Sequence, residues 1–189
     1  ALYESGESSG EISLEDLFSA PGSIYAENRL SMEDIAFLIC RGGWPKAIDQ
    51  NKDIALDQSF DYCDAITNRD ISKVDNINRN PERVKRLMRS YARLQGSQAS
   101  YETICADIKS NDTTTLDSDT VAAYITALGR LFVIEEAQAW NPNLRSKTAI
   151  RTSATRYYID PSIGTAILQT GPEELLADIK TMGLFFETL

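Results

Sequence analysis

Apolar residues recur along most of this chain at the three-to-four spacing of helices, and short β-branched runs break that rhythm only in its last third. Residues 1–10 are small, polar and glycine-containing, and read as an extended arm. Ser13 is placed to cap a short turn carrying Leu14, Leu17 and Phe18, after which Pro21-Gly22 breaks the chain. Ser31-Met32-Glu33-Asp34 has the spacing of a capping box, with Asp in the fourth place. Ile35, Leu38 and Ile39 follow on one face, and Gly42-Gly43 end that helix. Pro45 opens a short turn through Ala47 and Ile48. A long helix is expected from about residue 54 to 71, with Phe60, Cys63 and Ile66/Thr67 as its apolar set. The polar stretch 75–80 reads as a connector and as the best domain boundary.

A second module opens at Asn80, a good N-cap, followed by Pro81 at the first helical position. Val84, Leu87, Met88, Tyr91 and Leu94 form one apolar face, and Arg86, Arg89 and Arg93 cluster on the opposite one. Gly96 stops this helix. Ser100 caps a second helix with Tyr101, Ile104, Cys105 and Ile108, and Asp117 or Ser118 caps a third with Val121, Tyr124/Ile125 and Leu128. Phe132-Val133-Ile134 then reads as a strand, Asn141-Pro142-Asn143 as a turn, and Arg156-Tyr157-Tyr158-Ile159 as the returning strand. Three short helices followed by a hairpin is the winged-helix arrangement. The segments 161–170 and 172–180 look helical, and the apolar run 183–189 is expected to lead into a further domain. The expected fold is thus mainly α. Residues 1–78 form an acidic, helical, lid-like segment. Residues 79–160 form a winged helix-turn-helix domain with a small β-hairpin. Residues 161–189 form the helical start of a C-terminal domain.

Charge sharpens this division. The net charge of −9 lies entirely in residues 1–78, where 15 acids face 6 bases, while residues 79–189 hold 13 of each. Residues 137–159 carry Arg145, Lys147, Arg151 and Arg156 with no acid. There is no histidine, so Ser/His/Asp chemistry is excluded, and no G-x-x-x-x-G-K-[ST] phosphate loop occurs. The three cysteines lack zinc-like spacing and read as reduced core thiols of a cytoplasmic protein. No apolar run approaches the roughly 20 residues of a membrane span, so no membrane partner is expected.

Several short stretches, in order, carry a resemblance: Leu2-Tyr3-Glu4-Ser5-Gly6, Arg41-Gly42-Gly43-Trp44-Pro45, Asn68-Arg69-Asp70-Ile71, Leu131-Phe132-Val133-Ile134-Glu135, Leu144-Arg145-Ser146 and Asp160-Pro161-Ser162. Together they resemble the C-terminal portion of a prokaryotic AAA+-type ATPase family, in which an ATPase core precedes a domain of unknown function. The resemblance implies that the ATP- and Mg-binding core lies before Ala1. It also implies that a nuclease-like fold begins near Phe186-Glu187. No cofactor and no catalytic residue is then expected in this chain, which would not itself be an enzyme. Its expected role is to couple the nucleotide state of that core, its principal partner, to the winged helix.

Three candidate sites follow. Gly43-Trp44-Pro45 resembles the Gly-x-Pro motif that packs on adenine in the helical lid of related signalling ATPases; read alone, the stretch is a helix terminator with a buried tryptophan. Arg145, Lys147, Arg151 and Arg156 on the wing could neutralise phosphates of DNA, or pair with acids of the chain or of a partner. The Arg86, Arg89 and Arg93 face is a solvated helix face or a docking surface. The third helix starts with Asp117 and Asp119, which argues against ordinary major-groove reading. A pure protein-interaction module is the remaining alternative.

Overall fold

Capping side chains fix where most helices begin. The computed structural model describes residues 2–20, 22, 24–111, 115–139 and 154–189. Ser13 and Asp16 close a capping box on α1 (Leu14–Ser19), and Ser31 and Asp34 close another on α2 (Met32–Arg41). Gly42 ends α2 at φ +70°, and α3 (Pro45–Ile48) starts on its proline. Asn51 caps α4 (Lys52–Ala65) through a bond from the Ile54 amide. A π-helical turn, Ile66–Asp70, and the short α5 (Ile71–Lys73) continue it. The Asn80 side chain accepts from two amides at the start of α6 (Pro81–Arg93). The Ser100 hydroxyl accepts from Thr103 at the start of α7 (Tyr101–Asn111), and Asp117 caps α8 (Ser118–Arg130).

An antiparallel strand pair follows: β1 (Ile134–Ala137) and β2 (Thr155–Tyr158), with Ile134 opposite Tyr158 and Ala137 opposite Thr155. The first strand starts later than the β-branched run suggests. Phe132 sits at φ +55° and is exposed, so the chain turns there, and Val133 is buried beyond the turn. The α6–α7 turn is bonded to β2 as well: the Gly96 amide donates to Arg156 O (2.9 Å) and the Arg156 amide to Ser97 O (3.1 Å).

The chain ends in α9 (Pro161–Leu168), α10 (Pro172–Ala177) and α11 (Ile179–Phe186). α9 is the hub. Residues 161–167 are all buried, the Ser162 and Thr165 hydroxyls being hydrogen-bonded within the protein, and α2, α4, α6, α11 and β2 pack around the helix. It comes close to α11, where a Cβ on Gly164 would lie 2.3 Å from the Phe185 ring.

The expected apolar face of α6 is the buried one: Val84, Leu87, Met88 and Tyr91 are fully enclosed. Of the expected face of α4 and its continuation, Cys63, Ile66 and Thr67 are buried, whereas Phe60 is exposed and Ala55 and Ser59 complete the buried row. One cluster of buried side chains runs from Ala36 to Phe185, so the segments 1–78, 79–160 and 161–189 share a core rather than each having its own. The connector at 75–80 is likewise no loose hinge. Arg79, itself buried, grips Asp75 with both terminal nitrogens (2.7 and 2.6 Å), donates to Ile71 O (2.8 Å) and lies over the Tyr124 ring of α8. Among the described residues no helix is long and apolar enough to cross a membrane.

Candidate functional site

Stretches far apart in sequence meet at the end of α2. The Asp160 carboxylate caps α9 by accepting from the Ser162 amide (2.9 Å) and hydroxyl (2.6 Å), and its other oxygen accepts from the Gly43 amide (2.8 Å). The Ser162 hydroxyl in turn accepts from the Trp44 indole Nε1 (2.8 Å). A continuous hydrogen-bonded chain therefore runs from indole to hydroxyl to carboxylate to backbone amide. Gly42 makes the approach possible. A Cβ there would lie 2.3 Å from Asp160 Oδ1 and 2.4 Å from Ser162 Oγ, and its φ of +70° with ψ of −171° is a conformation open essentially to glycine.

The arm enters the same junction. Arg41, buried, donates from Nη1 to Glu7 (2.6 Å), from Nη2 to the Ser5 hydroxyl (3.4 Å) and from Nε to Gly42 O (3.1 Å). Burial pushes the Glu7 carboxyl up, but its bonds to Arg41 and Ser5 and the Arg41 charge together hold it below its ordinary value. Leu2, Gly42, Gly43, Asp160, Pro161 and Leu189 line a cavity of about 300 Å³ here.

Trp44 is half-buried, with its ring centroid 4.5 Å from that of Tyr62 at a 48° tilt. The pair opens onto a surface concavity with Pro45, Lys46, Gln58 and Asp61. Gly43 and Pro45 are exposed. Trp44 thus has its N–H engaged within the protein and one flank against Tyr62, and it meets solvent beside Pro45.

Of the wing cations, Arg145, Lys147 and Arg151 lie outside the described residues, as do the turn at 141–143 and the Leu144-Arg145-Ser146 stretch. Arg156 is not a surface cation. It is buried, donates from Nε to Ala99 O (2.7 Å), pairs with Glu136 across the strands and lies 4.9 Å from the centroid of the Tyr101 ring. Its neighbours explain this: the α6–α7 turn offers the Ala99 carbonyl, β1 the Glu136 carboxylate and α7 the Tyr101 ring. The structure brings Arg86, Arg89 and Arg93 together around one notch on α6, as their helical spacing predicts.

Sequence reasoning missed Asp160 and Ser162 as partners of the Gly-Trp turn, Tyr62 as the partner of Trp44, and Glu7 as the counter-ion of Arg41. Asp160 followed by Pro161 does carry an N-cap signature, but no spacing rule links it to residue 43. Among the described residues no group of three or more His, Cys, Asp or Glu is arranged to hold a metal ion.

The family model described as Domain of unknown function (DUF8612) matches residues 32–174 of this chain. No curated protein and no solved structure matches it.

Proposed function

The chain belongs to the DUF8612 family, and we propose that it is the regulatory and recognition portion of a prokaryotic AAA+-type ATP-binding protein. In this reading residues 1–78 are a lid on an ATPase core elsewhere in the polypeptide, which holds ATP and Mg. Helices α6–α8 with the strand pair are a winged helix that receives the motion of the lid. The chain itself carries no catalytic residue. The order of these elements, and the backbone bonds joining the α6–α7 turn to β2, support the winged-helix reading.

The observation that carries the proposal is the pair of bonds from Gly43 N and Trp44 Nε1 to Asp160 and Ser162. Asp160 lies two residues after β2, and Gly43 lies in the turn between α2 and α3. A lid displacement at that turn pulls on the chain directly beyond the strand pair, and through α9 on the core. Coupling between two sites needs such a connected element with two arrangements that nucleotide biases differently.

The test is hydrogen exchange in the full polypeptide containing the ATPase core, without nucleotide, with ADP and with ATP. Protection of peptides covering 38–48 and 155–162 is expected to change together. Ser162→Ala is expected to leave the first response and weaken the second. Segments that respond independently, or not at all, would overturn the coupling. The isolated chain is expected to show no ATPase activity and no stoichiometric micromolar ATP binding by calorimetry.

A further inference from the structure

We propose that α1 is a docking helix, which seats Leu14, Leu17 and Phe18 in an apolar groove of a partner protein rimmed by lysine or arginine. The three side chains recur at the i, i+3 and i+4 positions, so they form one stripe along the helix. They are 74%, 47% and 88% exposed. No residue of α1 is buried, and none joins the core cluster. Such a stripe on a short helix is the geometry of helix-in-groove recognition, in which the same spacing supplies the anchors.

Local structure holds the helix ready without covering it. The Ser13 hydroxyl accepts from the Asp16 amide (3.1 Å) and the Asp16 carboxylate from the Ser13 amide (3.2 Å). A six-residue helix has too few bonds of its own to persist alone in water, so this capping box lowers the ordering cost that docking must meet. The loop 8–30 that carries α1 is pinned on both sides to α2. Glu7 pairs with Arg41 at the end of α2 (2.6 Å), and Ser31 caps its start. A connection this long is uncommon in a compact fold, and where it holds a formed element it ordinarily carries function.

Charge decides what the groove looks like. Residues 1–28 hold Glu4, Glu7, Glu11, Glu15, Asp16 and Glu27 and no lysine or arginine. At about 100° per residue, Glu15 lies about 60° from Phe18, at the edge of the stripe. Neither Glu11 nor Glu15 has an ion-pair partner among the described residues. Acids beside the stripe are repelled by phosphates, so a nucleic acid or an anionic membrane is the wrong surface. The chain's own net charge of −9 likewise opposes a second copy. A cationic rim is favoured, because complementary charge steers encounter and fixes orientation. This inference does not rest on the coupling reading: α1 takes no part in the bonds that join Gly43 and Trp44 to Asp160 and Ser162.

The experiment is photo-crosslinking from a benzoylphenylalanine placed at position 18, in cells that make the natural polypeptide, with the adduct mapped by mass spectrometry. A discrete adduct is expected with one protein, at an apolar groove flanked by lysine or arginine. Leu14→Ala/Leu17→Ala is expected to lower its yield about tenfold, and Glu11→Lys/Glu15→Lys about fivefold or more. Asp53→Lys/Asp57→Lys, the same charge change on exposed residues of α4, is expected to leave it within about twofold. In the isolated chain Leu14→Ala/Leu17→Ala is expected to leave the urea midpoint unchanged, since neither side chain is buried. A lowered midpoint would place the stripe against the chain's own core and overturn the proposal. So would the absence of a discrete adduct, an adduct with a second copy, a lipid or a nucleic acid, an adduct insensitive to the leucine variant, or equal loss in the two charge-reversed variants.

Discussion

Gly42 carries two constraints at once, a left-handed φ and the absence of room for a side chain. Gly42→Ala must both strain the backbone and displace the Asp160 and Ser162 side chains from their hydrogen bonds. A loss of about 3 kcal/mol is expected, read from the urea midpoint; a change of a few tenths would mean that the junction relaxes freely. The cysteines show burial acting on chemistry. Desolvation pushes the Cys40 thiol up to about 11 and the Cys63 thiol up to about 12, so near neutral pH neither forms the reactive thiolate. An aromatic disulfide reagent is expected to modify Cys105 in the folded protein, and Cys40 and Cys63 only after unfolding. Rapid native-state labelling of all three would contradict their burial. Asp75 gives a pH signature. Its bond with Arg79 holds its carboxyl down to about 2, so the clasp stabilises the fold fully above the ordinary carboxylate range, about 4, and is lost as pH falls through about 2. Asp75→Asn is expected to weaken protection of 71–80 at neutral pH and to remove the acid-dependent part of its loss. Unchanged exchange in that segment would show the clasp to be incidental.

At the scale of elements, α6 and α9 give the sharpest tests. Leu87 is completely enclosed, so Leu87→Ala is expected to cost about 2–5 kcal/mol in chemical denaturation. An unchanged midpoint would mean that this face of α6 is not a packing face. Gly164→Ala drives a methyl group into the Phe185 ring and is expected to destabilise by about 1–3 kcal/mol, although alanine is the better helix former. Helix starts were largely legible in the sequence because caps are local: Ser13, Ser31, Asn80, Ser100 and Asp117 each bond within three residues. The π-helical turn was not, since one extra residue in the turn leaves no compositional mark. Phe60 misled for the same reason, as an aromatic on a partly buried helix satisfies the periodicity without being inside. Arg156 misled because the sequence shows its charge but not the carboxylate and carbonyl that enclose it. The contacts of the candidate site, Gly43 with Asp160 and Trp44 with Ser162, span more than a hundred residues, and only the short stretches around them stood out.

The shared core makes a claim about the whole molecule. Buried residues of the acidic first part, of α6–α8 and of α9–α11 belong to one contiguous cluster. Unfolding is therefore expected to be a single cooperative event, with Trp44 emission in a Trp140→Phe background and far-ultraviolet ellipticity changing at the same denaturant concentration. Separated transitions would show that the acidic part folds by itself. The buried hub α9 also has a consequence for synthesis. Its partners α2, α4 and α6 leave the ribosome well before it, α2 by about 120 residues. At about 5–20 residues per second that is a wait of roughly 6–24 s. Throughout that interval the nascent chain shows apolar stripes that only a later segment can cover, so in the cell its yield depends on what shields those stripes until α9 arrives.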